Sequence, residues 1–427
     1  MKSKYVIIGG CAAGTGAVEA IREVDPTGTI TVIAEEIYPQ YSRPMISELV
    51  SGKIDMAKML VRDEAFWQKH NVQALTGRIA TSINTQGKTI RLDNGEKISY
   101  NKLLLATGGK PFLPKMDGAD KDGVFTFTNL ATAEHLIVKI NNAHAKKAVI
   151  IGGGLIGVSV SEALVKRGLN VTLVEYKNNI LNLILDGTSS KMVEAAIRKA
   201  GLNITTGLTV QKIIGTAKDD RIVGGVILTD GEQMQCDIVI IAIGVIPRTE
   251  LAYGTHIKVN RGIVVDNYMQ TNVQDIYASG DVAEAYDFVA NENRQLPLWP
   301  LAHDQGKTAG YNMAGKKVTY SGGTNMSALK YYGIPMISIG LANPQNPTGY
   351  EIIVKYEPEK SLYKKLVIKD NIIVGMTFVY AIERAGIFFS LMKNKINVEK
   401  FKQELLSETF GLATLPAELR KELHLEE

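Results

Sequence analysis

A chain of 427 residues, 45% hydrophobic and 22% charged, has the composition of an ordinary globular protein and is too long for one compact core, so two or three domains are expected. Its formal charge of +4 comes from scattered Lys and Arg, which read first as a solvated surface and second as a docking face for an acidic partner, with no nucleic-acid partner expected. Two cysteines, Cys11 and Cys236, have no CxxC or metal-ligand spacing and exclude a thiolate-bound zinc or iron–sulfur cluster, so no metal site is expected.

No apolar run reaches about 18 residues and no signal-peptide pattern opens the chain. A cytoplasmic protein without a membrane partner is the expectation. The first elements are written in "KYVIIGGCAAGTGAVEAI": a buried strand, a glycine turn and a helix. A strand, "TITVIAEE", follows and ends in Glu35 and Glu36, 21 and 22 residues past Gly14.

From Lys147 the plan repeats in "KAVIIGGGLIGVSVSEAL", and "NVTLVE" ends in Glu175, 18 residues past Gly157. A glycine turn feeding a helix N-terminus offers free N–H groups and a positive dipole end to a pyrophosphate. An acid about 20 residues on suits a ribose diol, whose hydroxyls donate to carboxylate. One such turn is weak evidence, because tight turns favour glycine whatever they bind. Two complete strand–turn–helix–strand–acid units point to two dinucleotide sites. Glu175 would repel a 2′-phosphate and no arginine follows it directly, which favours NAD(H) over NADP(H).

Four later segments, "LLLATGGKP", "CDIVIIAIGVIPRTEL", "TNVQDIYASGDVAE" and "PLWPLAHDQGKTAGYNMAG", follow in order. With the two fingerprints they resemble the FAD-dependent pyridine nucleotide–disulfide oxidoreductases over roughly residues 1–380, in the branch of the rubredoxin and ferredoxin reductases. The resemblance implies an α/β fold of two Rossmann-like dinucleotide-binding domains and an α+β C-terminal domain. The FAD domain would be discontinuous, 1–112 and 248–323, with the NAD(H) domain inserted at 113–247 and a C-terminal interface domain with a helical tail at 324–427.

Carried over residue by residue, the resemblance gives FAD the turn Gly9, Cys11, Ala12, Ala13 and Gly14, then Glu35 on the ribose with Glu36 as competitor. Arg43, Pro44, Ile79, Ala106, Thr107, Gly108, Gly280, Asp281 and Trp299 complete that set. It gives NAD(H) the residues Gly152, Gly154, Leu155, Ile156, Gly157, Glu175 and Gly244. Relatives that reduce disulfides carry a redox cysteine over the flavin, but "YPQYSRPMISELVSG" has none, and Pro44 aligns near that place. Cys11 is read as a tolerated small residue at the pyrophosphate end of FAD, far from the ring, and Cys236 as a buried hydrophobe.

Many relatives also read "IGxE" near the nicotinamide, where this chain has Ser159. Ser159 and Trp299 are therefore the catalytic candidates, with core packing the alternative for Trp299 and a supporting place for His303. The resemblance implies an NADH-dependent flavoprotein that passes hydride to flavin and electrons to a small acidic protein carrier such as rubredoxin or ferredoxin. The alternatives are an NADH oxidase reducing oxygen at the flavin and a non-catalytic NADH-responsive sensor. Past Thr324, two strand-like runs joined at Lys369–Asp370–Asn371, a helix in "IERAGIFFSLMKNKI" and a short helical tail are expected. This domain could support a homodimer, and Lys364 and Lys365 could receive the carrier.

Overall fold

The computed structural model describes residues 1–142 and 145–422. In chain order the elements that build the sites begin with β1 (Lys2–Ile8), α1 (Ala12–Val24), β2 (Ile30–Ala34), β3 (Val72–Thr76) and β4 (Lys97–Leu105). They continue through β5 (Val124–Thr126), β6 (Lys147–Ile151), α2 (Leu155–Lys166), β7 (Asn170–Glu175), α3 (Gly187–Lys199), β8 (Asn203–Thr206) and β9 (Ile238–Ile241). Next come β10 (Ile276–Ala278), α4 (Trp299–Met313), β11 (Met326–Tyr331) and β12 (Ile334–Gly340). The last are β13 (Glu351–Glu357), β14 (Leu362–Lys369), β15 (Ile372–Val379) and α5 (Ala385–Lys393).

These elements form two compact units. The first comprises Met1–Phe112, Thr128–His135 and Gly244–Gly323. Its sheet runs β3-β2-β1-β4-β10 in parallel and is extended beyond β4 by the antiparallel strands Thr89–Leu92 and Ala80–Asn84. Val6, Ile7, Leu103 and Leu104 are fully buried, as expected of near-continuous apolar strands covered on both faces. Strand order reverses at β1, so the carboxyl ends of neighbouring strands part there and leave a crevice, the usual ligand position in an open α/β sheet. Ile8 lies in register with Ile33 and Leu105, and Leu105 with Ala278. The four loops that follow therefore open at one end of the sheet.

The second unit comprises Leu113–Phe127, Leu136–Ile243 and Thr324–Glu427. One of its sheets repeats the design, with parallel order β8-β7-β6-β9-β5. Ile151 pairs with both Val174 and Ile241, which again brings glycine turn and acid to a common edge. The C-terminal sheet is antiparallel, β11-β12-β15-β14-β13. Asp370 and Asn371 make its β14–β15 turn with φ of 51° and 59°, a conformation that Asx side chains tolerate best after glycine. Phe388 of α5 meets Phe378 of β15 edge to face at 5.1 Å.

The expected helix is α5, and the tail is short helical turns at Glu399–Glu404, Leu412–Thr414 and Ala417–Glu422. The tail's last five positions, 423–427, lie outside the described residues. One expectation is corrected. Lys365 is 4% exposed and pairs with Asp186 at 3.0 Å, so it cannot meet a carrier at the surface. Its neighbour Lys364 lies over the Phe378 ring, 5.2 Å from the centroid.

Candidate functional site

In the first unit the glycine turn joins β1 to α1 as a tight cradle. Gly9 has φ of +121°, and a Cβ on Gly14 would stand 1.9 Å from the Gly9 carbonyl oxygen. Only hydrogen side chains permit that turn. Helix α1 starts at Cys11 with no side-chain cap, so its first N–H groups face the crevice without an internal acceptor. Ala12 and Ala13 are buried behind it. Helix α4 presses on this turn through Gly306, whose Cβ would lie 2.0 Å from the Ala13 carbonyl oxygen.

Three distant segments converge on Arg43. Its guanidinium donates to the Thr128 carbonyl at 2.7 Å and to Glu36, and it interacts with Cys11. Burial disfavours its charge, but Cys11, Glu36 and Tyr41 outweigh that and raise its pKa. Asp281 lies within electrostatic reach of the same cation: burial pushes this carboxyl up, and Arg43 opposes the shift. Glu36 also accepts from the Tyr41 hydroxyl at 2.5 Å. Pro44 follows in a short 3₁₀ turn, Arg43–Met45.

The other acid, Glu35, is half exposed and pairs with Arg248. Sequence reading passed over Arg248, which is fixed at the Ala106–Thr107–Gly108 turn. Its N–H donates to the Gly108 carbonyl at 2.9 Å, and its own carbonyl accepts from Thr107 Oγ1 at 2.8 Å. Ile79 is exposed, and its carbonyl accepts from the Asp93 N–H at 2.9 Å. Gly244, expected beside NAD, belongs to the first unit, where its carbonyl accepts from Phe112 N–H at 2.9 Å.

After β10, Gly280 donates its N–H to Gln305 Oε1 at 2.8 Å. A Cβ there would stand 3.3 Å from Ala13 and 3.4 Å from Ala302, so α1 and the first turn of α4 meet at this loop. Beside it, Ser279 Oγ and Trp299 Nε1 are buried without a hydrogen-bond partner. Buried polar atoms are ordinarily satisfied, so these two fit a polar ligand in the crevice. Ser279 also escaped the sequence reading, because nothing in its neighbours marks it as buried. Trp299 stacks at 6.0 Å on His303, whose Nε2 lies 3.2 Å from Glu19, a supporting position.

The second unit carries the same turn. Gly152 has φ of +108°, and a Cβ on Gly157 would lie 1.9 Å from its carbonyl oxygen. A Cβ on Gly154, the residue equivalent to Cys11, would meet nothing within 4 Å. That open space before the uncapped start of α2, at Leu155 and Ile156, fits a pyrophosphate. Glu175 is buried and accepts from Gly153 N–H at 2.6 Å and Lys177 N–H at 2.7 Å. Ser159 hydrogen-bonds Tyr331, whose hydroxyl is pushed up to about 12, chiefly by burial. Glu162 pairs with Lys166 at 2.7 Å. Cys236 is buried in this unit, and burial pushes its thiol up to about 12. Among the described residues no cluster could hold a metal ion, and no helix is long and apolar enough to cross a membrane.

Residues 3–306 match the family described as pyridine nucleotide-disulphide oxidoreductase. The chain belongs to this family. Residues 326–396 match the rubredoxin NAD+ reductase C-terminal domain. FAD and NAD(H) are the cofactors of the family.

The nitrite reductase [NAD(P)H] of Bacillus subtilis is 30% identical, with 93% of this chain and 48% of that protein covered. The NADH-rubredoxin oxidoreductase of Clostridium acetobutylicum is also 30% identical, covering 82% and 84%. The solved structure of an NAD-dependent persulfide reductase from A. fulgidus is 27% identical with a TM-score of 0.86, covering 100% and 84%. This chain spans about half the length of the B. subtilis relatives it matches.

Proposed function

We propose that this protein is an NADH-dependent flavoprotein reductase that delivers electrons to a separate iron–sulfur protein, of the rubredoxin or ferredoxin kind, in the cytoplasm. The observation that carries the reading is the lack of a thiol relay. Of the two cysteines, Cys236 is buried with a raised pKa, and Cys11 stands at the N-terminus of α1, where a pyrophosphate belongs rather than a flavin ring. Pro44 occupies the stretch in which disulfide-reducing relatives place their cysteine.

FAD, when bound, supplies exchange between a two-electron donor and one-electron acceptors. The protein's part is to hold and orient. The turn from Gly9 to Gly14 and the start of α1 would receive the FAD pyrophosphate, with Glu35 or Glu36 on the ribose and Asp281 accepting from a ribityl hydroxyl. Arg43 would balance the phosphate charge from the other side. The turn from Gly152 to Gly157 and Glu175 would receive NADH, and Ser159 stands where the family places a nicotinamide contact. Similarity to a C. acetobutylicum NADH-rubredoxin oxidoreductase and the C-terminal match support the choice of acceptor.

The test is NADH oxidation by the FAD-loaded protein, with and without added rubredoxin or ferredoxin, in air and under argon. Slow turnover in air that a carrier raises many-fold is expected. Full turnover on oxygen alone, unchanged by any carrier, would replace this reading with an oxidase.

A further inference from the structure

The β11–β12 hairpin ends in an unusual pair. Tyr332 and Gly333 form its two-residue turn with φ of 50° and 82°, and an aromatic residue rarely adopts that backbone without a contact that holds it. The contact is on α2. Tyr332 Oη lies 2.9 Å from Ser161 Oγ. Ser161 already donates to the Val158 carbonyl at 2.7 Å, so the tyrosine is the donor. One residue earlier, Tyr331 hydrogen-bonds Ser159. Two consecutive tyrosines therefore grip two serines in the first two turns of the helix that follows the second fingerprint.

That helix needs a grip. Gly154 provides no side-chain cap, and an uncapped helix start frays unless something else orders it. The first fingerprint helix shows what the alternative is. Its position equivalent to Ser159 is Gly16, where a Cβ would lie 2.6 Å from the His303 carbonyl oxygen, so α1 is locked there by direct backbone packing against α4. In α2 the same position is held by a hydroxyl pair instead.

We propose that Tyr331 and Tyr332 are positioning residues for the nicotinamide nucleotide, fixing the first two turns of α2 through Ser159 and Ser161. This rests on the second fingerprint being the NADH site. The ordering cost of α2 is met before the nucleotide arrives, so affinity depends on the hairpin although no tyrosine need touch the nucleotide.

The experiment uses the full-length, FAD-loaded protein with Tyr331→Phe, Tyr332→Phe, Ser159→Ala, Ser159→Thr and the double variant Ser159→Ala/Tyr331→Phe. NAD+ affinity is measured by calorimetry, KM and kcat with NADH by turnover, and backbone exchange of residues 155–162 by mass spectrometry. Tyr332→Phe, which removes the 2.9 Å contact to Ser161, Tyr331→Phe and Ser159→Ala should each weaken NAD+ binding roughly three- to tenfold, the range of a single neutral hydrogen bond. KM should rise more than kcat falls, and α2 should exchange faster in the absence of nucleotide. The double variant should lose no more than the worse single one, as expected of one shared contact, while Ser159→Thr should restore binding to within about twofold of the parent. Flavin content should be the same in all.

Variants that melt earlier yet bind NAD+ and exchange at α2 like the parent would overturn the proposal and leave the hairpin a packing device. A parent protein that fails to bind NAD+ at all would overturn the functional reading, and this inference with it.

Discussion

Gly14 and Gly157 make the same argument twice. A methyl group on either would stand 1.9 Å from a carbonyl oxygen of its own turn, so neither turn can close around an alanine. Gly14→Ala is expected to purify with little flavin absorbance, its FAD affinity down at least about tenfold, or 1.4 kcal/mol. Gly157→Ala should keep its flavin and lose NADH reduction. Glu175 is a different case, because both its oxygens accept backbone N–H groups. Glu175→Gln exchanges one acceptor for a donor and leaves a buried N–H unpaired, at a cost of about 1–3 kcal/mol. It should raise KM for NADH while narrowing the preference over NADPH, read from the ratio of kcat/KM values. These residues were legible in the sequence because their partners are a few residues away or one strand over. Ser279, Arg248 and Tyr331 were not, since each owes its place to a segment far along the chain.

Between elements, the decisive contact is the buried pair of Lys365 on β14 with Asp186 at the start of α3. Asp186 caps the helix by accepting from Ser189 N–H at 3.0 Å, and it also accepts from Tyr363 and from Lys365 Nζ at 3.0 Å. Thr377 Oγ1 and Asn343 Nδ2 bond carbonyls of the same segment, Ile184 at 3.1 Å and Leu185 at 3.3 Å. The charge pattern of the sequence offered Lys365 as a docking residue because periodicity in an edge-proximal strand does not tell which face is covered. Removing Asp186 strands the charge of a lysine side chain that is 5% exposed. Asp186→Asn should therefore destabilise by on the order of 3 kcal/mol, more than Lys365→Met, which leaves the carboxylate Tyr363 and Ser189. Melting temperatures decide the order.

The same contact has a pH signature. Desolvation pushes the Asp186 carboxyl up, but Tyr363, the Ser189 N–H and Lys365 together hold it below the ordinary value. The folded chain thus binds that proton less readily than the unfolded one. Stability from the contact is full above the unfolded carboxylate pKa of about 4 and is lost as pH falls through the lowered value. Asp186→Asn should flatten that part of the acid limb in a pH series of melting temperatures.

At the scale of the whole molecule, the first unit is assembled from three separate stretches of chain, and the charge of +4 is spread thinly. If an acidic carrier is the acceptor, its reduction should slow as ionic strength rises, since screening shortens from about 10 Å at 0.1 M to 3 Å at 1 M salt. NADH reduction of the flavin under argon should change far less, which separates docking from hydride transfer. By itself the sequence determined the two strand–turn–helix cradles, their acids and the missing thiol, because glycine turns, strand periodicity and the identity of a residue are local properties. Tertiary structure alone decided which groups meet: Arg43 with the Thr128 carbonyl, Lys365 with Asp186, and Tyr332 with a serine 171 positions earlier. Such contacts depend on which faces the folded sheets bury, and burial of a face is settled by the chain as a whole.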